Sequence, residues 1–171
     1  MQNTAEEKAQ QSDILHVETS RFGKIQITTG QIVTLPKGLV GFPQQKRFVL
    51  LSHREDSPFL WLQSIDDPTL AFVVVLTAAV VPEYQIELHE EDKQELQLQD
   101  EGQCAVYGLV TIPRQDPTAM TINLLGPIVI NTNKLLGKQL VLHNCCYSHR
   151  HPLLAPDNGR SQKACCRITA K

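Results

Sequence analysis

RFVLLSHREDSPFLWLQSIDDPTLAFVVV, residues 47–75, decides the fold. Three apolar runs, 48–51, 59–64 and 70–76, are separated by two charged turns that contain proline, HREDSP and DDP. β-Branched and aromatic residues fill the runs, and the acids fall in the connections, where water reaches them, so each run reads as a short strand. This is a packing sequence, not a catalytic one. A chain that spends its most regular segment this way is expected to present a surface.

The same pattern extends in both directions. Towards the N-terminus, ETSRFGKIQI (18–27) gives two extended pieces punctuated by Gly23, with Ile25 and Ile27 alternating against Lys24 and Gln26, and residues 32–35 give a third piece ended by Pro36. KGLVGFPQQK (37–46) is a connector in which Pro43 can open a helical turn and Leu39, Val40 and Phe42 read as anchors against the sheet. Towards the C-terminus, CAVYGLVTI (104–112) is apolar on both alternating faces and belongs mid-sheet. Residues 120–125 and 128–130 are extended on either side of a Gly126-Pro127 bulge or corner, and KQLVL (138–142) is the last clear strand. The one convincing helix is EEDKQEL (90–96), whose first-turn acids suit the positive end of the helix dipole and which reads as mostly solvated. Nine or ten strands against one short helix, with no room for crossover helices, predict an all-β, antiparallel, flattened barrel-like domain. Its expected extent is 16–152, after a disordered lead (1–15) and before a basic, flexible tail (153–171).

The totals exclude several functions. A net charge of −2 gives no generic attraction to nucleic acid or anionic membrane, and the nine aromatics do not interleave with a basic stripe. No apolar window is long enough for a spanning helix, and the start MQNTAEEKAQQSD lacks the apolar heart of a signal peptide, so the chain is expected in the cytoplasm. There is no Gly-x-Ser-x-Gly elbow and no Gly-rich phosphate loop. Asp66-Asp67 and Glu90–Asp92 are carboxylate pairs in a turn and at a helix start, where solvent and backbone amides stabilise the charge.

One cluster invites metal or thiol chemistry: His143, Cys145, Cys146, His149, His151, Cys165 and Cys166. A metal- or thiol-dependent sensor built on this C-terminal set is the competing reading. Zinc accepts such side chains, but its thiols usually come in Cys-x-x-Cys knuckles, whereas neighbouring cysteines in a strand point opposite ways. Reduced, incidental thiols are the simpler expectation, and no metal or cofactor is assigned.

Charge is uneven along the chain. Glu83, Glu87, Glu90, Glu91, Asp92, Glu95, Asp100 and Glu101 face Lys93 alone, which predicts an acidic edge, while Lys134, Lys138, Arg150, Arg160, Lys163, Arg167 and Lys171 make the C-terminal end basic.

ETSRFGKI (18–25), GLVGFPQQKRFVLL (38–51), SPFLWLQSIDDPTLAFVVV (57–75), NLLGPIVIN (123–131) and GKQLVLHNCCYSHRHPL (137–153) together resemble the FliW flagellar assembly factor family, in sequence order across residues 17–152. The resemblance implies a cytoplasmic bacterial protein without enzymatic activity, a monomer when free. Its implied partners are flagellin, held before export, and CsrA, an RNA-binding repressor of flagellin translation. Flagellin occupying the factor leaves CsrA free to repress, and flagellin secretion releases the factor to antagonise CsrA. On this picture Glu83, Glu87, Glu90 and Glu91 are candidates to steer towards a basic CsrA surface. Asn123 and Asn131, which bracket LLGPIVI, are candidate partner-facing amides with an equally good structural explanation in turns or bulges. Both ends of the chain and the Cys145-Cys146 pair depart from the family pattern and inherit no function.

Overall fold

A computed structural model describes residues 13–143 and 146–154. The strands are β1 (Ile14–Thr19), β2 (Gly23–Thr28), β3 (Ile32–Thr34), β4 (Arg47–Ser52), β5 (Phe59–Ser64), β6 (Ala71–Leu76), β7 (Cys104–Thr111), β8 (Thr121–Asn131), β9 (Leu136–Gln139) and β10 (His151–Pro152). Two short helices, α1 (Thr77–Val80) and α2 (Glu90–Glu95), and three 3-10 turns complete the described chain. β1 begins two residues before the expected start of the domain.

The stretch 47–75 forms β4, β5 and β6, paired antiparallel in register from Phe48↔Ser64 and Leu60↔Val74. The DDP turn is held by its own polar groups. Ser64 Oγ accepts from the Asp66 and Asp67 amides at 3.2 and 3.0 Å, and Asp67 Oδ1 accepts from the Thr69 amide at 2.9 Å. The Thr69 bonds, hydroxyl first, hold the Asp67 carboxyl below the usual carboxylate range, and Asp66 pairs with Arg47 across the sheet.

Seven strands close into a ring in the order β8-β7-β6-β5-β4-β3-β9, with β9 returning to β8. Every pairing in the ring is antiparallel except one. β3 and β9 meet in parallel at Thr34↔Leu136, supported by the Thr34 amide donating to Leu135 O at 2.8 Å. No crossover helix is needed, because the rest of the barrel is itself the connection. β7 lies between β6 and β8, as its two-faced apolar pattern requires, though most of its side chains are half-buried.

Alternation in the strands divides apolar residues between an interior and an outer wall. Val33, Phe48, Leu62, Val74, Ile128 and Ile130 fill the interior. Three patches of outward-facing residues are covered by appendages. The β1–β2 hairpin lays Val17 and Ile27 over Val49. The segment after α1 brings Val81 and Tyr84 over Val75, Ile122 and Leu124. Leu88 and Leu96, before and after α2, cover Val129 and Leu140. α1 is a helical turn that the sequence pattern does not reveal, because it follows directly on the valine run of β6.

β8 bends where Gly126-Pro127 was expected to break it. The register with β7 jumps between Tyr107↔Ile128 and Leu109↔Asn123, so the intervening residues of β8 form a bulge. Gly108 sits opposite the bend, and a Cβ there would lie 2.3 Å from Ile122 Cδ1. In the connector 37–46 no helix forms. Gly38 and Gly41 take φ of +67° and +86°, and Leu39 bridges Phe42. Of the three expected anchors Leu39 is buried, Phe42 is partly exposed but packs edge-on against Phe72 at 5.3 Å, and Val40 is exposed.

Candidate functional site: two grooves on the outer wall

Residues 84–89, YQIELH, alternate half-buried or buried with exposed side chains and so form an extended strap over the barrel wall. Beyond β9 the chain stays extended along β8: the Leu140 and Leu142 amides donate to Pro127 O and Leu125 O at 2.9 and 2.8 Å. Between this edge and the strap lies a groove of about 490 Å³, lined by Ile86, Glu87, His89, Asp92 and residues 138–143. Its two walls are tied together at both ends. At one end the Tyr147 hydroxyl accepts from the Gln85 amide and donates to Gln85 O, each at 3.1 Å. At the other, Lys138 Nζ lies 2.7 Å from Asp92 and 3.0 Å from Glu95, which also takes Lys37 at 2.7 Å.

The expected acidic edge is therefore partly neutralised. Asp92 is buried rather than solvated; its carboxylate accepts from the His89 amide at 3.2 Å at the start of α2 and holds Lys138. Hydrogen bonds from Lys37 and then Lys138 hold the Glu95 carboxyl below the usual range. Burial opposes the charge on Lys138, but the bonds to Asp92 and Glu95 and their charges outweigh it and raise its pKa. Glu83, Glu87, Glu90 and Glu91 are all exposed, and among the described residues only Glu90 of these four makes an ion pair, with Lys93 at 3.3 Å.

The two asparagines part company. Asn131 is fully buried: its Nδ2 donates to Leu96 O and Gln97 O at 2.8 and 3.2 Å, and its Oδ1 accepts from the Asn133 and Lys134 amides. With every hydrogen-bonding position engaged inside the fold, Asn131 does not face a partner, which corrects the expectation. Asn123 is half-buried, and its Oδ1 accepts from the Leu125 and Gly126 amides at 3.0 Å, shaping the bend of β8.

Asn123 also lines a second, larger hollow of about 910 Å³. Its floor is Trp61, Phe72, Leu109 and Val110, and its rim carries Arg21, Arg114, His149 and Arg150. Arg21 stacks over Trp61 at 4.1 Å from the ring centre, a cation–π contact that keeps the cation at the rim. Sequence reading missed this groove because its arginines, Arg21, Arg114 and Arg150, come from three segments far apart in the chain and its floor from three different strands.

Of the C-terminal Cys/His set, His143 lines the first groove, His149 the second, and Cys146 is exposed. Cys145, Cys165 and Cys166 lie outside the described residues. Among the described residues no three His, Cys, Asp or Glu side chains are grouped to hold a metal ion, and no helix is long and apolar enough to cross a membrane.

The fold and its surface define a class: a closed β-barrel with covered outer patches and two open grooves, one carrying Glu87 and Asp92 and the other Arg21, Arg114 and Arg150. The family model described as FliW protein matches residues 16–153, and the chain belongs to the FliW family. Similar proteins named flagellar assembly factor FliW include that of Geobacter sulfurreducens, 41% identical over 81% of this chain and 86% of its own. That of Desulfitobacterium hafniense is 42% identical over 81% and 91%, and that of Natranaerobius thermophilus 35% over 88% and 99%. A crystal structure of the flagellar assembly factor FliW superimposes with a TM-score of 0.77 at 36% identity, covering 84% of this chain and 99% of the other.

Proposed function

We propose that this protein acts in flagellar assembly as a cytoplasmic, non-enzymatic partner switch: it holds flagellin before export and, when flagellin has left, antagonises CsrA. Family membership supports the flagellar role. The observation that carries the CsrA half is the exposure of Glu83, Glu87 and Glu91, whose carboxylates make no ion pair among the described residues. Carboxylates not spent on internal pairs attract the basic surface an RNA-binding protein must have, raising the association rate and making it sensitive to salt. The flagellin half draws support from the second groove, whose apolar floor and cationic rim suit one amphipathic end of a filament subunit.

The test is a pair of variants assayed against both partners. Glu87→Lys with Glu91→Lys is expected to weaken CsrA binding about tenfold at low salt and to flatten its salt dependence, leaving flagellin binding intact. Ile112→Asp, at an exposed residue lining the second groove, is expected to do the reverse. CsrA affinity and salt slope unchanged by the double reversal would refute the acidic surface as its docking site.

A further inference from the structure

Strands β6 and β7 share three rungs, Val74↔Leu109, Val75↔Gly108 and Leu76↔Tyr107. β6 nevertheless begins at Ala71 and β7 runs on to Thr111, so beyond the last rung the two strands part. Continued in register, Val73 would face Val110 and Phe72 would face Thr111; instead all four line the second hollow, which occupies this open seam. Burial follows the parting. Val74 and Val75, at rungs, are fully buried, whereas Phe72, Val73 and Val110 are only half-buried. Apolar surface left open where a sheet's own pairing stops is favourable to cover.

Charge at the seam has one sign. Arg21 stands on the β5 side, over Trp61, and Arg114 and Arg150 stand on the side of β7 and β8. Among the described residues none of the three makes an ion pair, and no carboxylate lines the hollow. Cations without an internal partner, set beside an apolar wall, keep a strong positive potential. Arg21 is also held in place. It sits at the tip of the β1–β2 hairpin, which the Ser20 amide ties to Pro68 O at 2.9 Å and Phe22 anchors against Trp61, ring centres 6.0 Å apart. A rim set before a partner arrives lowers the ordering cost of binding.

We propose that this hollow takes an acidic peptide segment, laid along the seam with an apolar side chain against Phe72, Val73 and Val110 and carboxylates at the arginines on either side. The assignment rests on the reading of this groove as the face that holds flagellin, and it adds the sign of the charge that the docked segment carries. A small anion would meet the arginines but leave the apolar seam wet, and a wholly apolar segment would leave the arginines without counter-charges. Nucleic acid is disfavoured by the net charge of −2.

The probe is a short capped peptide alternating Glu with Val, set against a counterpart with Lys for every Glu, each titrated into the full-length protein by calorimetry. Trp61 is the only tryptophan of the chain, so its emission locates binding at this hollow. The acidic peptide should bind, shift that emission and weaken as salt rises, and the lysine peptide should do none of these. Arg114→Glu with Arg150→Glu, at exposed side chains that make no contact within the fold, should weaken the acidic peptide about tenfold, and Arg114→Lys with Arg150→Lys should keep most of the affinity. No measurable binding of the acidic peptide, equal binding of both peptides, or indifference to the arginine reversal would overturn the proposal. Flagellin held equally by wild type and by the double reversal, and not displaced by the acidic peptide, would overturn it while leaving the flagellin reading intact. Acidic peptide bound at Trp61 with flagellin neither bound nor displaced would uphold the site and refute flagellin as its occupant.

Discussion

Asn131 shows how one side chain can carry a corner of the fold. It ends β8, satisfies two carbonyls after α2 and accepts two amides of the following turn. Asn131→Ala strips all four bonds at a fully buried position, and urea denaturation should register a loss of about 2–3 kcal/mol. Partner affinity, measured on the folded fraction, should be unchanged. Two glycines allow a cleaner comparison. Gly38 and Gly41 both have positive φ, but a Cβ on Gly38 would lie 2.5 Å from Phe42 O, whereas one on Gly41 meets nothing within 4 Å. Gly41→Ala is expected to cost about 1 kcal/mol, for the backbone alone, and Gly38→Ala clearly more, since backbone must move; thermal midpoints of the pair would reveal the ordering. Residues of this kind were only half legible in sequence. The positions of Asn131 and Gly38 are turn-like, but nothing local says that the asparagine is enclosed or that another peptide presses on the glycine.

At the scale of elements, the decisive joint is α2 to β9 through Lys138, Asp92 and Glu95. Lys138→Met keeps the stem and removes the charge, leaving Asp92 buried without its cation. The expected cost is about 2 kcal/mol, between an exposed pair and a fully buried one, with faster amide exchange in α2 ahead of the barrel strands. The pH dependence follows from the direction of each shift. Glu95 has a depressed folded pKa, so its stabilisation is present above the ordinary Glu value, about 4.3, and is lost as pH falls through the folded one. A stability gap between wild type and Glu95→Gln should thus be seen at pH 7 and close on acidification below about 4. Lys138 behaves oppositely: its raised pKa gives a contribution complete below the ordinary Lys value and lost as pH climbs through the raised one. Strands β4 to β6 and the bend of β8 were legible because alternation, turn residues and Gly-Pro are local marks. The joint was not. Lys138 looks like part of a basic end until the fold carries it back 46 residues to Asp92.

For the whole molecule, the ring rests on a meeting that no local pattern announces. β3 and β9 join through Thr34 and Leu136, roughly a hundred residues apart, and bringing such distant points together carries a loop-closure cost that later contacts must offset. Antiparallel barrel-like architecture could be read from strand count and spacing, but the single parallel rung could not, because sequence periodicity reports faces and not partners. The rung also has a bearing on biosynthesis. A nascent chain still lacking Leu136 has β3 and β8 waiting with bare edges, and neither can be sealed until the ribosome has delivered β9. Products stalled before that point are open sheets, exposed to proteases and to one another, so the barrel stays unsealed until β9 has emerged.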